Sequence, residues 1–468
     1  MADAPPSRAT KLVCTLGPAV AERLPELVAC GLDVARINLS HGGRDQHETL
    51  LAGVREAAAQ ANRTVGVLAD LSGPKVRLGE LAEGEIRLVP GERFVLRPDG
   101  GPGDALGAPT THPGLAADLE PGDRVLLADG AAELVVREAG EAAVTEVVRG
   151  GRVRSRGGVN VPAERLSLPP ITDKDRADAA WAVQAGVEMV AQSFVRRAED
   201  VRGLVDLLGS DPPLVVAKIE TEPAVRDASA IIQEADAVMV ARGDLGVELP
   251  LEEIPLIQRD LVSRTIAAGK PVIVATQMLE SMTRAPRPTR AEASDVAAAV
   301  FEGADAIMLS AETAVGEYPI EAARTAARIA EVAGGSGYVA GPPRLASPTD
   351  AHLIAQAALS VSLQGGARAI ACFTQSGMTA QLISATRPRV PIFAFSPDQR
   401  VARRLTLFRG VTPFVTEPQE DTDAMIDMVD RRLREAGFVR EGDAVLMVGS
   451  SPFGEAHTNL LKVHRIGG

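Results

Sequence analysis

Short apolar runs that close in polar or glycine-rich residues recur along most of the chain, and stretches with helical spacing of apolar positions lie between them. Eight such runs stand out: Lys11–Pro18, Asp33–Ser40, Val65–Asp70, Glu188–Phe194, Leu214–Glu220, Ala237–Gly243, Pro271–Gln277 and Asp305–Glu312. The clearest helical segments are Thr172–Ala185, Pro223–Ala235, Glu252–Ala268, Arg290–Glu302 and Ile320–Ala333. Strands alternating with helices predict an α/β architecture, and eight units predict a (β/α)8 TIM barrel. In such barrels the chemistry sits at the C-terminal strand ends.

One gap breaks the rhythm. Between Asp70 and Glu188 lie too many residues for a single strand-to-helix connection, and their pattern is not helical. The runs Glu85–Leu88, Arg93–Leu96, Arg124–Leu127, Glu133–Val136 and Ala143–Val148 are separated by turns rich in Gly, Pro and Asp. They predict a small β-barrel lid domain inserted after the third barrel strand, at the end where a lid excludes water. After the glycines of residues 334–337 the α/β pattern restarts as an open C-terminal domain. The expected division is 1–74 for the first part of the barrel, 75–163 for the lid, 164–338 for its remainder and 345–468 for the C-terminal α/β domain.

Length agrees with this division, because 468 residues exceed what one core organises. A formal charge of −13 argues against general nucleic-acid binding while leaving small anions open, since a few convergent groups hold a phosphate whatever the net charge. Three cysteines, Cys14, Cys30 and Cys372, show no CxxC spacing and read as reduced thiols of a cytoplasmic protein. The first residues lack the basic and apolar regions of a signal peptide, and no charge-free stretch reaches membrane-spanning length.

Chemistry collects at the ends of the runs. Alternation along a strand puts Arg36, Asn38 and Ser40 on one face, and Lys218 and Glu220 on another. Other runs end in Arg242-Gly243-Asp244, Ala275-Thr276-Gln277 and Ser310-Ala311-Glu312-Thr313. Any one of these is more often a solvated cap, an ion-pair partner or a turn former. Cations from two strands beside carboxylates from two others are harder to read that way. Glu220 and Asp244 suit Mg2+, which often takes one or two carboxylates plus substrate oxygens. Arg36 offers a fork for phosphate, Lys218 a compact charge for a developing oxyanion, and the Gly243-Asp244 turn offers N–H groups for a carboxylate. The mixture points to phosphoryl transfer or enolate chemistry. Its rivals are a metal-dependent aldolase barrel and a metabolite-sensing protein without catalysis.

Several motifs resemble those of the pyruvate kinase family: Thr15-Leu16-Gly17-Pro18, the segment Ala35–Gly42 around Arg36, Ala217-Lys218-Ile219-Glu220, Met239–Gly246 around Asp244, Ala275–Met282 around Thr276, Arg287–Glu292 and Met308–Thr313. They occur in the family's order and nearly end to end. The resemblance implies Mg2+-dependent (or Mn2+-dependent) transfer of phosphate from phosphoenolpyruvate to ADP, giving pyruvate and ATP at the last step of glycolysis. It implies that Arg36 grips the transferring group with Arg77, that Lys218 stabilises the enol oxygen, and that Glu220 and Asp244 hold Mg2+. Gly243, Asp244 and Thr276 would contact the substrate carboxylate, Thr276 lying near the protonation of the enolate. Asn38, Ser40, His41, Arg77 and Asp129 would serve the nucleotide. A homotetramer is also implied.

Departures from the family pattern carry their own expectations. Asp70-Leu71-Ser72-Gly73-Pro74-Lys75 stands where many relatives read Asp-Thr-Lys-Gly-Pro-Glu and bind K+ with ligands matching Asn38, Ser40, Asp70 and Leu71. Lys75 replaces the acid, and its ammonium supplies a charge in place of K+, so no K+ requirement is expected. Arg156 stands where relatives often carry Lys on the nucleotide side. Thr374, Ser376, Gly377 and Thr379 match the family's sugar-phosphate effector loop, though a capped helix start explains them equally well. Glu455 in the last loop favours a sugar monophosphate or AMP over fructose 1,6-bisphosphate as effector.

Overall fold

The computed structural model describes residues 8–128, 130–339, 341, 349–419, 422–450 and 458–467. Strands β1 (Lys11–Thr15), β2 (Val34–Asn38) and β3 (Gly66–Asp70) pair in parallel. The inserted unit follows with β4 (Glu85–Leu88), β5 (Arg93–Arg97), β6 (Gly107–Pro109), β7 (Arg124–Leu127), β8 (Ala132–Glu138), β9 (Ala143–Arg149), β10 (Gly151–Arg154) and β11 (Val159–Asn160). The parallel series resumes with β12 (Met189–Gln192), β13 (Leu214–Ile219), β14 (Ala237–Ala241), β15 (Val272–Ala275) and β16 (Ala306–Leu309). Strand β16 returns to β1, closing a ring in the order β1-β16-β15-β14-β13-β12-β3-β2.

This is the eight-stranded barrel the apolar runs predict. The runs are nearly continuous because both faces are buried. Val13, Val34, Leu68, Met189, Val216, Met239, Ile273 and Met308 fill the interior, while alternate residues such as Leu12, Ile37, Val190 and Val274 pack outward with the apolar faces of the helices. Two barrel helices open with a reciprocal cap written in the sequence: Thr172 with Asp175, and Thr289 with Glu292. The expected helix Pro223–Ala235 is two, Glu222–Arg226 and Ala228–Glu234, hinged at Asp227, whose carboxylate accepts the Ala198 N–H.

The inserted unit is all-β and has its own core. A six-stranded sheet, β11-β7-β8-β9-β5-β6, and the ribbon β10-β4 share one apolar cluster that includes Leu88, Phe94, Leu134, Val147 and Val153. In β8, Ala132, Leu134 and Val136 are buried and alternate with half-buried neighbours.

The C-terminal α/β domain carries β17 (Ala369–Phe373), β18 (Ile392–Ser396), β19 (Val411–Val415), β20 (Ala444–Gly449) and β21 (Leu460–Arg465) in the order β19-β18-β17-β20-β21. Pro413 interrupts β19 and weakens its strand signal in the sequence. Such a strand is tolerated at a sheet edge, which is where β19 lies. This domain closes the floor of the barrel: Leu407 joins the interior cluster. At Gly66 an added Cβ would meet Thr406 Oγ1 at 2.5 Å and the Arg403 carbonyl at 2.7 Å, so only glycine lets the two units approach there. Among the described residues no helix is long and apolar enough to cross a membrane.

Candidate active site

At the C-terminal strand ends β1, β2, β3, β12 and β13 bring six polar side chains into one buried network. Arg36 Nε donates to Asp70 Oδ2 at 2.7 Å, and its Nη1 donates to Thr15 Oγ1 at 2.8 Å. Lys218 Nζ lies 2.7 Å from Glu220 Oε1, 3.3 Å from Asp70 Oδ1 and 2.7 Å from Ser193 Oγ. Glu220 Oε2 accepts the Phe194 N–H at 2.8 Å. Asp244, in the first turn of the helix Arg242–Glu248, is approached by Lys75 Nζ at 3.6 Å.

Burial sets the electrostatics. It would lower the Lys218 pKa, but Asp70 and Glu220 outweigh it and hold the ammonium above its ordinary value. Burial would raise Asp70, yet Lys218 and Arg36 bring it below the usual carboxylate range. For Glu220 burial wins, with the nearby Asp244 charge adding to it against Lys218, and its pKa is raised. A carboxylate kept uncomfortable by burial and a like charge gains from a cation. Glu220 and Asp244 therefore fit a divalent ion, as two hard oxygen donors that leave the remaining positions to substrate. Among the described residues no group of three or more metal-ligating side chains gathers, so the pair needs substrate oxygens to complete a shell.

Thr276 follows β15 with φ 70, and Gln277 has φ 53. Thr276 Oγ1 accepts the Gly243 N–H at 2.7 Å and donates to the Ala275 carbonyl at 2.6 Å. The Gly243 N–H expected to face a substrate carboxylate is thus committed to Thr276 in this structure.

On the other side of the mouth, burial and then the cations Arg77, Arg36 and Lys75 hold the His41 imidazole below its ordinary pKa. Asn38 Oδ1 accepts the Ser40 N–H at 3.1 Å, the turn-forming role that was the plainer reading. Arg77 Nη1 donates to the Arg156 carbonyl at 3.1 Å, whereas the Arg156 side chain pairs with Glu80 at 2.6 Å. The Arg156 guanidinium is therefore held within the inserted unit. Leu71 is buried at 2% exposure, and its carbonyl accepts Ser193 Oγ at 2.8 Å. Asp129 lies outside the described residues.

One expectation is corrected and one residue is added. Glu312 and Thr313 do not join the mouth: Glu312 is fully buried and accepts the N–H groups of Ser310 (2.7 Å) and Leu279 (3.0 Å), and Thr313 donates to the Thr15 carbonyl at 2.9 Å. Buried N–H groups must be satisfied, and Glu312 does that work. Ser193 went unread, although it directly follows β12 and the strand-end rule reaches it. In the C-terminal domain Thr374 Oγ1 caps the Gly377 N–H at 2.8 Å, Ser376 Oγ accepts the Met378 N–H at 3.4 Å, and the Thr379 and Thr458 hydroxyls pair at 2.7 Å. These are hydrogen bonds of the turn leading into the helix Met378–Ala385, whose N-cap Gly377 receives no side-chain cap; the loop with Glu455 lies outside the described residues.

Comparison with known proteins agrees along the chain. The family model described as "Pyruvate kinase, barrel domain" matches residues 7–323, and "Pyruvate kinase, alpha/beta domain" matches residues 352–464. Curated pyruvate kinases of Corynebacterium glutamicum and Mycobacterium tuberculosis are each 44% identical over 98% of this chain, covering 98% and 99% of those proteins. That of Geobacillus stearothermophilus is 42% identical over 98% of this chain and 80% of its own. A solved pyruvate kinase from Cryptosporidium parvum superposes with a TM-score of 0.91 at 33% identity, covering 98% of this chain and 96% of that one.

Proposed function

Because the chain belongs to the pyruvate kinase family, we propose that it transfers phosphate from phosphoenolpyruvate to ADP at the barrel mouth, giving pyruvate and ATP. The observation that carries this reading is the convergence of Arg36, Lys218 and Glu220, with Asp244 beside them, at the ends of two strands and in the helix after a third.

In this reading the Arg36 fork takes the phosphoryl oxygens, exchanging part of its grip on Asp70 for substrate. The Lys218 ammonium, kept charged by two carboxylates, faces the bridging enol oxygen as its bond to phosphorus breaks and negative charge grows there. The phosphorus–oxygen bond re-forms to a terminal oxygen of ADP, and the enolate carbon then takes a proton to become the methyl group of pyruvate. Thr276 stands on the side from which that proton arrives. Glu220 and Asp244 would hold Mg2+ (or Mn2+), whose chemistry is to neutralise charge on phosphate and enolate oxygens. Asn38, Ser40, His41 and Arg77 form the nucleotide side, where cations gather around His41. The inserted unit closes over this mouth as a lid, which limits loss of phosphate to water.

We assign the domains as 1–74, 75–163, 164–338 and 345–468, supported by the inserted unit's separate core from Val76 to Val161. K+ is not required in this reading. Lys75 brings a fixed positive charge to the mouth, and its side chain is only 25% exposed and turned to Asp244, not to bulk water. A cytoplasmic location accords with three free cysteines, and a homotetramer with the exposed Leu251 and Leu256, which a second copy would cover. The C-terminal domain takes a sugar monophosphate or AMP at the Thr374–Thr379 loop.

The test is direct. Purified protein mixed with phosphoenolpyruvate, ADP and Mg2+ should form pyruvate and ATP in equal amounts, and omission of any one component should stop it. Consumption of phosphoenolpyruvate without ATP would favour the aldolase-like rival.

A further inference from the structure

We propose that Arg242 is a positioning residue for the protonation half of the reaction, holding the Thr276 turn in a conformation it would not keep alone. This rests on the functional reading above for the meaning of Thr276, but on the geometry alone for the clamp.

A β-branched residue at φ 70 followed by another positive φ of 53 is a backbone arrangement that L side chains resist. It persists only where surrounding contacts over-determine it, and Arg242 supplies most of them. Its Nη2 donates to the Thr276 carbonyl at 2.6 Å and reaches Met278 Sδ at 2.9 Å, while Nε donates to the Ala275 carbonyl at 3.3 Å. The carbonyls on either side of the Thr276 Cα are therefore held by one planar guanidinium. Its other arm is anchored: Nη1 donates to Asp295 Oδ1 at 2.7 Å and to Gln258 Oε1 at 3.3 Å, and Gln258 is itself fixed to Glu302 at 2.7 Å.

The backbone completes the ring. Arg242 is joined covalently to Gly243, whose N–H donates to Thr276 Oγ1. Main chain and side chain of consecutive residues thus grasp one threonine from two directions, fixing both its peptide and its hydroxyl. An ammonium has no planar fork and cannot bridge both carbonyls and Asp295 together. Loss of the fork frees the turn to relax to negative φ and swings Oγ1 away from the Gly243 N–H. Phosphate binding, which falls to Arg36 and Lys218, lies on other strands.

The test compares wild type with Arg242→Lys in the complete Mg2+-loaded enzyme. The variant should fold with a near-normal thermal midpoint, keep its KM for phosphoenolpyruvate within about threefold, and lose kcat on the order of 100-fold. Exchange of pyruvate methyl protons with D2O in the presence of ATP, followed by NMR, should fall by a similar factor. Its crystal structure should show Thr276 at negative φ without the contact to Gly243. Asp295→Asn, which leaves the carbonyl contacts in place, should show a smaller loss of the same kind and covers the case in which Arg242→Lys does not fold. Unchanged exchange, a loss confined to KM, or an intact Thr276–Gly243 contact in the variant crystal overturns the proposal. If wild type forms no pyruvate, the functional reading fails separately, and the variant crystal alone decides the clamp.

Discussion

At the floor of the barrel Asp33, Glu188 and Asp305 are buried carboxylates beside arginine or lysine, and at its mouth so are Asp70 and Glu220. Composition does not separate the two ends; partners do. At the floor each carboxylate takes an arginine and the N–H of a neighbouring strand: Asp33 with Arg8 (2.7 Å) and Leu12 (2.8 Å), Glu188 with Arg55 (2.6 Å) and Val67 (2.9 Å), Asp305 with Arg387 (2.7 Å) and Val272 (3.1 Å). These groups seal the strand starts and dock the C-terminal domain, whose Leu407 fills the barrel interior below. At the mouth the carboxylates share one lysine, Glu220 is pushed up in pKa, and positive φ values recur at Phe194, Thr276 and Gln277. A carboxylate that takes its own arginine and the N–H of a neighbouring strand is structure. A carboxylate pushed up in pKa by burial and a second acid, where the acids share one lysine, is one that a cation completes.

The contrast breaks most sharply at Lys218. Lys218→Met should cost on the order of 1000-fold in kcat, measured as pyruvate formation, with little change in thermal midpoint. Asp70 keeps Arg36 in that variant, and Glu220, already raised in pKa, can take a proton. The mirror experiment is at the floor. Arg387→Met strands Asp305 and should destabilise the protein by about 3–5 kcal/mol, read by denaturant unfolding, while kcat of the folded fraction stays within about twofold. Should Arg387→Met instead abolish turnover in folded protein, the separation of the two ends is wrong.

Smaller effects sharpen the picture. Wild type should run at full rate without KCl, and Lys75→Glu should run slowly until KCl is added; equal KCl stimulation of both would remove Lys75 from the mouth's charge balance. The smallest effect is at Glu248, whose pKa burial raises to about 7 against the Glu222 N–H it accepts, with the charges of Glu220 and Asp244 adding to the rise. The folded state holds this proton more tightly than the unfolded chain does. Its contribution to stability is therefore full below the unfolded value of 4.5 and is lost as pH rises toward about 7. From about pH 5 to about pH 7.5 the thermal midpoint of wild type should fall further than that of Glu248→Gln.

Much of this was legible in the chain. Continuous apolar runs announced a barrel buried on both strand faces, and polar residues at their ends announced Arg36, Lys218, Glu220 and Asp244. The limits have physical causes. Glu312 looks like Glu220 in sequence, since both follow a strand, and only the turn's unpaired N–H groups decide that it caps backbone. Pro413 hid an edge strand. Strand ends mark the places of Arg242 and Ser193, but their contacts to residues distant in sequence, Thr276 and Asp70 among them, are recorded by no local pattern.

A divalent ion and an anionic substrate should complete the mouth and leave the floor untouched. A crystal grown with Mn2+ and oxalate, an unreactive mimic of the enolate, tests it by anomalous scattering. One manganese should lie between Glu220 and Asp244 with oxalate beside Lys218 and Thr276. Manganese at Asp33, Glu188 or Asp305, or none shared by Glu220 and Asp244, would contradict it.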